Sequence, residues 1–135
     1  MTPVRSKYGS KKTTVDGIVF DSAVESRRWL DLQQMERDGL ITDLKRQVPF
    51  VLAPSVKFAG ARARKPAIRL FIDFTYIQAG ELIANDVKSP STARLAVFQL
   101  KRHLMATVHQ QEVLITSSKD VSRAVRTTAK PKAKP

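Results

Sequence analysis

The chain has no cysteine among its 135 residues. Disulfides, thiolate zinc sites and a cysteine nucleophile are thereby excluded, and a reducing, cytosolic setting is compatible. It also lacks any apolar run near the roughly 18 to 20 residues that span a bilayer, and its basic start is not followed by an apolar signal core. The expectation is a soluble, non-secreted protein with no membrane partner. Acids are scarce: 12 Asp and Glu stand against 24 Lys and Arg, for a net charge of +12. That imbalance exceeds ordinary solubilising surface and points to a polyanionic partner. Aromatics make up only 7% and form no evident stacking platform, so RNA is a weaker candidate than DNA.

The basic residues gather in three stretches without a single acid: MTPVRSKYGSKK, SVKFAGARARKPAIR and SRAVRTTAKPKAKP. Such clustering suits phosphates, whose neutralisation releases counterions, and it nominates Lys11, Lys12, Arg62, Arg64 and Lys65 as contacts to a DNA backbone. Solvated or disordered basic segments would look the same at the two ends. Length allows one domain, divided as a basic segment 1–14, a folded domain 15–117 and a basic, disordered tail 118–135.

Within the domain, TTVDGIVFDS predicts a small hairpin turning at Asp16-Gly17. SAVESRRWLDLQQMERDGL predicts a helix with Ser22 as N-cap and Gly39 as its stop. RQVPFVLAP reads as a strand whose Pro49 suggests an edge, followed by a basic loop or hairpin tip to about Pro66. Strands AIRLFIDFTYI and ELIANDVK, a helix ARLAVFQLKRHLMATV and a strand QEVLITS complete the order. Propensity alone gives only an α/β or α+β label.

The second and third of these strands carry charge where apolar residues would be expected. Residues facing each other in an antiparallel pair have a constant index sum, and a two-residue turn at Ala79-Gly80 sets Gln78 against Glu81 and hence Asp73 against Asp86. Side chains alternate, so Lys88 shares the face of Asp86. Two carboxylates with Cβ atoms about 5 Å apart repel, and Phe71, Thr75 and Ala84 offer them little solvation. A divalent cation would offset that cost, since hard ions such as Mg²⁺ take carboxylate, water and phosphate oxygens. Lys88 neutralising one aspartate while the other stays solvated is the plainer alternative.

Glu25 falls on the apolar helix face of Val24, Arg28, Trp29, Leu32 and Met35, where a carboxylate is costly unless paired or metal-bound. It is equally the fourth residue of a Ser22-x-x-Glu25 capping box. Lys101 sits among Val97, Phe98, Leu100, Leu104, Met105 and Val108 on the second helix, a place that snorkelling explains. His103 and His109 are too isolated to suggest a metal site.

A glutamate on the first helix, an aspartate on one strand and Asp-x-Lys on the next resembles the PD-(D/E)XK nuclease superfamily. More closely, KYGSKKTTVDGIVFDSAVESRRWLDLQQMERDGLITDLKRQVPFVL with FIDFTY, NDVKS and LKRHL is similar to a phage-encoded family of Holliday-junction-resolvase-like endonucleases, over roughly residues 7–116. The resemblance implies a restriction-endonuclease-like α/β fold, a mixed central sheet flanked by helices. It implies an Mg²⁺-dependent (or Mn²⁺-dependent) endodeoxyribonuclease acting on branched DNA as a homodimer in the cytoplasm of a bacterial host. Asp73 and Asp86 would be metal ligands completed by Glu25, Lys88 would orient water, and Gln47 and Lys101 would support them. Ile72 replaces the superfamily's proline, and Asn85 and Ser89 flank the triplet where Glu and Gly are more usual. The alternatives are a nicking, restriction-like or transposon-end enzyme of the same fold, and a non-catalytic basic DNA-binding protein.

Overall fold

A computed structural model describes residues 12–122. The tail expected to be disordered from 118 is ordered at its start, where Ser118–Asp120 form a turn of 3-10 helix and the Ser122 N–H donates to Asp31; residues from 123 onward lie outside the described ones, as does Lys11.

Two short strands, β1 (Thr13–Val15) and β2 (Ile18–Phe20), form the expected hairpin, with Asp16 and Gly17 both at positive φ (53° and 78°). A two-residue hairpin turn that follows the right-handed twist of its strands needs that backbone. The chain then enters α1 (Ala23–Arg37), capped by the Ser22 hydroxyl, which accepts the Glu25 backbone N–H at 3.1 Å. Gly39, at φ 79°, ends the helix as its lack of a Cβ allows.

The main sheet has the order β3 (Thr42–Ala53), β4 (Ile68–Gln78), β5 (Glu81–Val87), β6 (Val113–Thr116). The first three strands are antiparallel and β6 runs parallel to β5. The parallel step requires a crossover, supplied by a short turn of helix α2 (Pro90–Ala93) and by α3 (Ala96–His109). This is the mixed α/β arrangement expected, of restriction-endonuclease-like type. Pro49 lies on edge strand β3, where a missing ladder donor is tolerated. β3 and β4 extend past the rest of the sheet as one long arm, tied near its basic tip by the Val56 and Lys65 backbones.

Apolar side chains gather in two cores. One joins α1 to the sheet through Phe20, Leu32, Ile41, Phe74 and Tyr76; the other joins α3 through Leu52, Leu70, Ile72, Ala84, Phe98, Met105 and Val113. Each large buried side chain contributes roughly 1.5–3 kcal/mol. Ile72 and Phe74 have the same parity on β4, are both fully buried, and yet belong to different cores. The changeover falls at Asp73. On β3 it falls between Leu44 and Phe50, across Gln47, whose φ of 51° is rare for a side chain with a Cβ.

Two expectations need correction. The second helix does not begin at Ala93: Ser89 caps the short α2, and α3 starts only at Ala96. Nor does α3 bury the face assigned to it, because Val97, Leu100 and Val108 are exposed while Phe98 and Met105 are covered. The apolar residues of α3 span a wider arc than the sheet can cover, and packing chose its edge.

Candidate active site

The β4–β5 turn is the expected one, with Ala79 and Gly80 at positive φ and Gln78 opposite Glu81. The register continues to Phe74 opposite Asn85, and one step further Asp73 and Asp86 meet. There the ladder is replaced by side chains. The Asp73 backbone N–H donates to Asp86 Oδ1 at 3.1 Å, and the Val87 N–H donates to Asp73 Oδ2 at 2.8 Å. The two carboxyl groups thus take the places of backbone carbonyls at the point where the core neighbour of β4 changes.

Gln47 reaches the same point from β3. Its side-chain amide donates to Asp73 Oδ1 (3.2 Å) and lies 3.4 Å from Glu25 Oε2. Glu25 is buried on α1, and the capping box forms in altered form: the Ser22 hydroxyl is used, while the glutamate carboxyl lies between the Asp21 backbone N–H and Gln47. Lys88 closes the group from the far end of β5. Its Nζ stands 2.9 Å from Asp86 Oδ2 and 4.8 Å from the centre of the Phe98 ring, which fixes it against α3. The ammonium is the charged partner of the buried Oδ2.

Electrostatics follow from this crowding. Burial, then the negative charge of Asp86, then that of Glu25, push the Asp73 carboxyl up to about 8. Glu25 is also raised, by burial first and by Asp21 next, against the opposing pull of Arg46. Arg46 was not singled out from the sequence. It lies over the rings of Phe20 and Trp29, at 4.6 and 5.8 Å, beneath Glu25's end of the site. Basic residues flanking an apolar strand gave no signal that one of them would be drawn inward.

The sequence thus nominated a set that the fold gathers: Glu25, Gln47, Asp73, Asp86 and Lys88 come from four elements to one seam between the two cores. Among the described residues no three carboxylate or histidine side chains already stand as a complete metal-ligand group. What the seam offers is one carboxylate from each strand, with Glu25 behind Gln47. The fit to a hard cation rests on Asp86 Oδ2, a buried oxygen that meets the Lys88 ammonium and no backbone donor, beside a second carboxyl group. Lys101 is half-buried on α3 and joins none of these hydrogen bonds. Lys12 pairs with Asp21 at the surface, whereas Arg62, Arg64 and Lys65 are exposed at the tip of the β3–β4 arm.

A family model described as protein of unknown function (DUF1064) matches residues 5–122. The chain belongs to that family. No curated protein and no solved structure matches it. The family match covers the whole described fold, from the β1–β2 hairpin to Ser122, whose N–H donates to Asp31 on α1. No helix among the described residues is long and apolar enough to cross a membrane.

Proposed function

We propose that this protein is a metal-dependent endodeoxyribonuclease that hydrolyses phosphodiester bonds in DNA, with branched DNA such as a four-way junction as its substrate class. The observation that carries this reading is the seam itself. Asp73 and Asp86 are set side by side against their mutual repulsion, with the Lys88 ammonium paired to Asp86 Oδ2. A structural role would be served by one carboxylate and one lysine. Two carboxylates in a chain of net charge +12 make sense where a cation and a phosphate meet. The resemblance to PD-(D/E)XK nucleases supports the same assignment, and the preference for branched DNA and the homodimer rest on that resemblance alone.

A divalent cation such as Mg²⁺, held by Asp73 and Asp86, would supply the positive charge that activates water and stabilises the attacked phosphate. The chain's own residues do the rest. Gln47 fixes Asp73 and links it to Glu25, which limits the rotamers open to both acids. Lys88, held by Phe98, orients the attacking water and stabilises the charge that builds on the phosphate oxygens. Water oxygen bonds to phosphorus while the bond to one sugar oxygen breaks, leaving a phosphate end and a hydroxyl end. The exposed basic tip grips backbone phosphates without reading sequence.

The test is cleavage of a labelled four-way junction beside a linear duplex of matched sequence, with Mg²⁺, with EDTA, and with Asp86→Asn. Mg²⁺-dependent cuts that favour the junction and vanish in the variant are expected. Equal cutting of both DNAs would move the reading to a nicking or restriction-like enzyme, and no cutting with any divalent metal would leave a basic DNA-binding protein.

A further inference from the structure

The outer side of the β3–β4 arm departs from what an exposed ribbon should look like. Alternation would make it polar, because the other side already packs Phe50, Leu52, Leu70 and Ile72 into the α3 core. Instead it presents Pro49 directly opposite Phe71, and Val51 directly opposite Arg69. Phe71 is 54% exposed, a large share for an aromatic ring on a well-paired strand, and Val51 is 46% exposed. This strip leads to the candidate site. Phe71 precedes Asp73 by two residues, about 7 Å along β4, and Pro49 follows Gln47, whose exposed amide holds Asp73.

We propose that Phe71, flanked by Pro49 and Arg69, is a stacking seat for an unpaired nucleobase next to the phosphate held at Asp73 and Asp86. The proposal rests on the nuclease reading and names the feature of the substrate that the site selects. The occupant follows from three properties of the strip. Its centre is an exposed aromatic ring on a paired strand, which suits a planar group better than a helix. Charge complementarity surrounds it: Arg69 lies on the same side, and Arg62, Arg64 and Lys65 stand exposed at the tip beyond. A DNA strand running from that tip to the carboxylates crosses the strip on its way. A ring on a sheet surface meets the face of a base only when that base has left its stack, as at a branch, a flap or a single-stranded stretch.

Binding in EDTA separates this proposal from the chemistry. The probes are a forked DNA with 2-aminopurine at the unpaired position nearest the branch, and a linear duplex of the same sequence. The proteins are the full chain and its variants Phe71→Ala, Phe71→Leu and Phe71→Trp. The intact chain should quench 2-aminopurine on the fork. Phe71→Ala should lose the quench and lower the fork-over-duplex affinity ratio roughly five- to a hundredfold, the range expected for one base–aromatic stack. Phe71→Trp should restore both, and all variants should melt within about 2 °C of the parent because the ring is exposed. An unchanged ratio in Phe71→Ala, or full restoration by Phe71→Leu, would overturn the stacking seat, the second by showing that any apolar side chain suffices. Failure of the two readings is distinguishable: Mg²⁺-dependent cutting with an indifferent Phe71 removes only the seat. A Phe71-dependent quench without cutting removes only the nuclease.

Discussion

Asn85 and Asp86 are neighbours on β5, both out of solvent, and the chain treats them in opposite ways. Asn85 faces α1, and its amide is fully employed. The Arg28 Nε donates to its Oδ1 at 2.7 Å, while its Nδ2 donates to the Leu114 carbonyl and the Thr116 hydroxyl on β6. Arg28 goes on to donate to the Tyr76 hydroxyl. That network ties α1, β4, β5 and β6 together, with partners for both polar atoms of the Asn85 side chain. Asp86, one residue later, has one oxygen bonded to a backbone N–H and the other paired with the Lys88 ammonium, beside an acid that resists ionisation. A buried amide whose partners are all in place specifies the fold, and two crowded acids sharing one ammonium leave a role for a further cation.

The comparison can be broken first at Asp86. Asp86→Asn should lower Mg²⁺-dependent cleavage roughly a thousandfold or more, since charge facing a reacting phosphate is among the largest catalytic contributions. Removing that negative charge from a polyanion's path should keep or tighten DNA binding at low salt. Cleavage and binding falling together would count against the metal role.

Asn85 should behave in the opposite manner. Asn85→Leu takes the acceptor from a half-buried Arg28 and the donor from two β6 oxygens, and should cost about 2 kcal/mol, read as a fall in Tm without Mg²⁺. Adding Arg28→Met should recover part of it, because no guanidinium is then left facing an apolar side chain, although the Leu114, Thr116 and Tyr76 oxygens stay without these donors. A double variant as unstable as the sum of the single ones would show that the two residues act independently.

A smaller effect concerns pH. Asp73 in the folded chain holds its proton up to about 8, while the unfolded chain gives it up near the ordinary value of 3.8. Stability in EDTA should therefore be highest below the unfolded value and fall as pH rises from about 4 to about 8. The Tm at pH 8 should lie at least about 5 °C below that at pH 5. Asp73→Asn should flatten the slope, and a pH dependence identical to the parent's would place its origin elsewhere. The least change should come from Ser22→Ala, at about 1 kcal/mol for the lost cap. A much larger loss would show that the cap also sets the direction of Glu25.

Much of the site was legible because β geometry is nearly arithmetic. A constant index sum and a two-residue alternation place Asp73 against Asp86 and Lys88 beside it, and the turn at Ala79-Gly80 holds that register. Helix faces were less legible. Glu25 on the wheel suited the cap better than the site, and the position of Gln47 on another strand brought its carboxyl to the seam while it stayed beside the Asp21 backbone N–H. On α3 the wheel offered a broad apolar arc, of which the sheet covered the part containing Phe98 and Met105.

By itself, then, the sequence determined the elements, the antiparallel register, the excess of positive charge and the acids that would meet. Those follow from local periodicity, turn chemistry and composition, which need no knowledge of distant neighbours. The tertiary structure alone decided that Gln47 bridges two acids, that Arg46 turns inward, that Asn85 closes a satisfied network and that Phe71 stays uncovered. Each depends on which side of an arm meets a core, and here that side changes at Asp73 through packing between elements far apart in the chain.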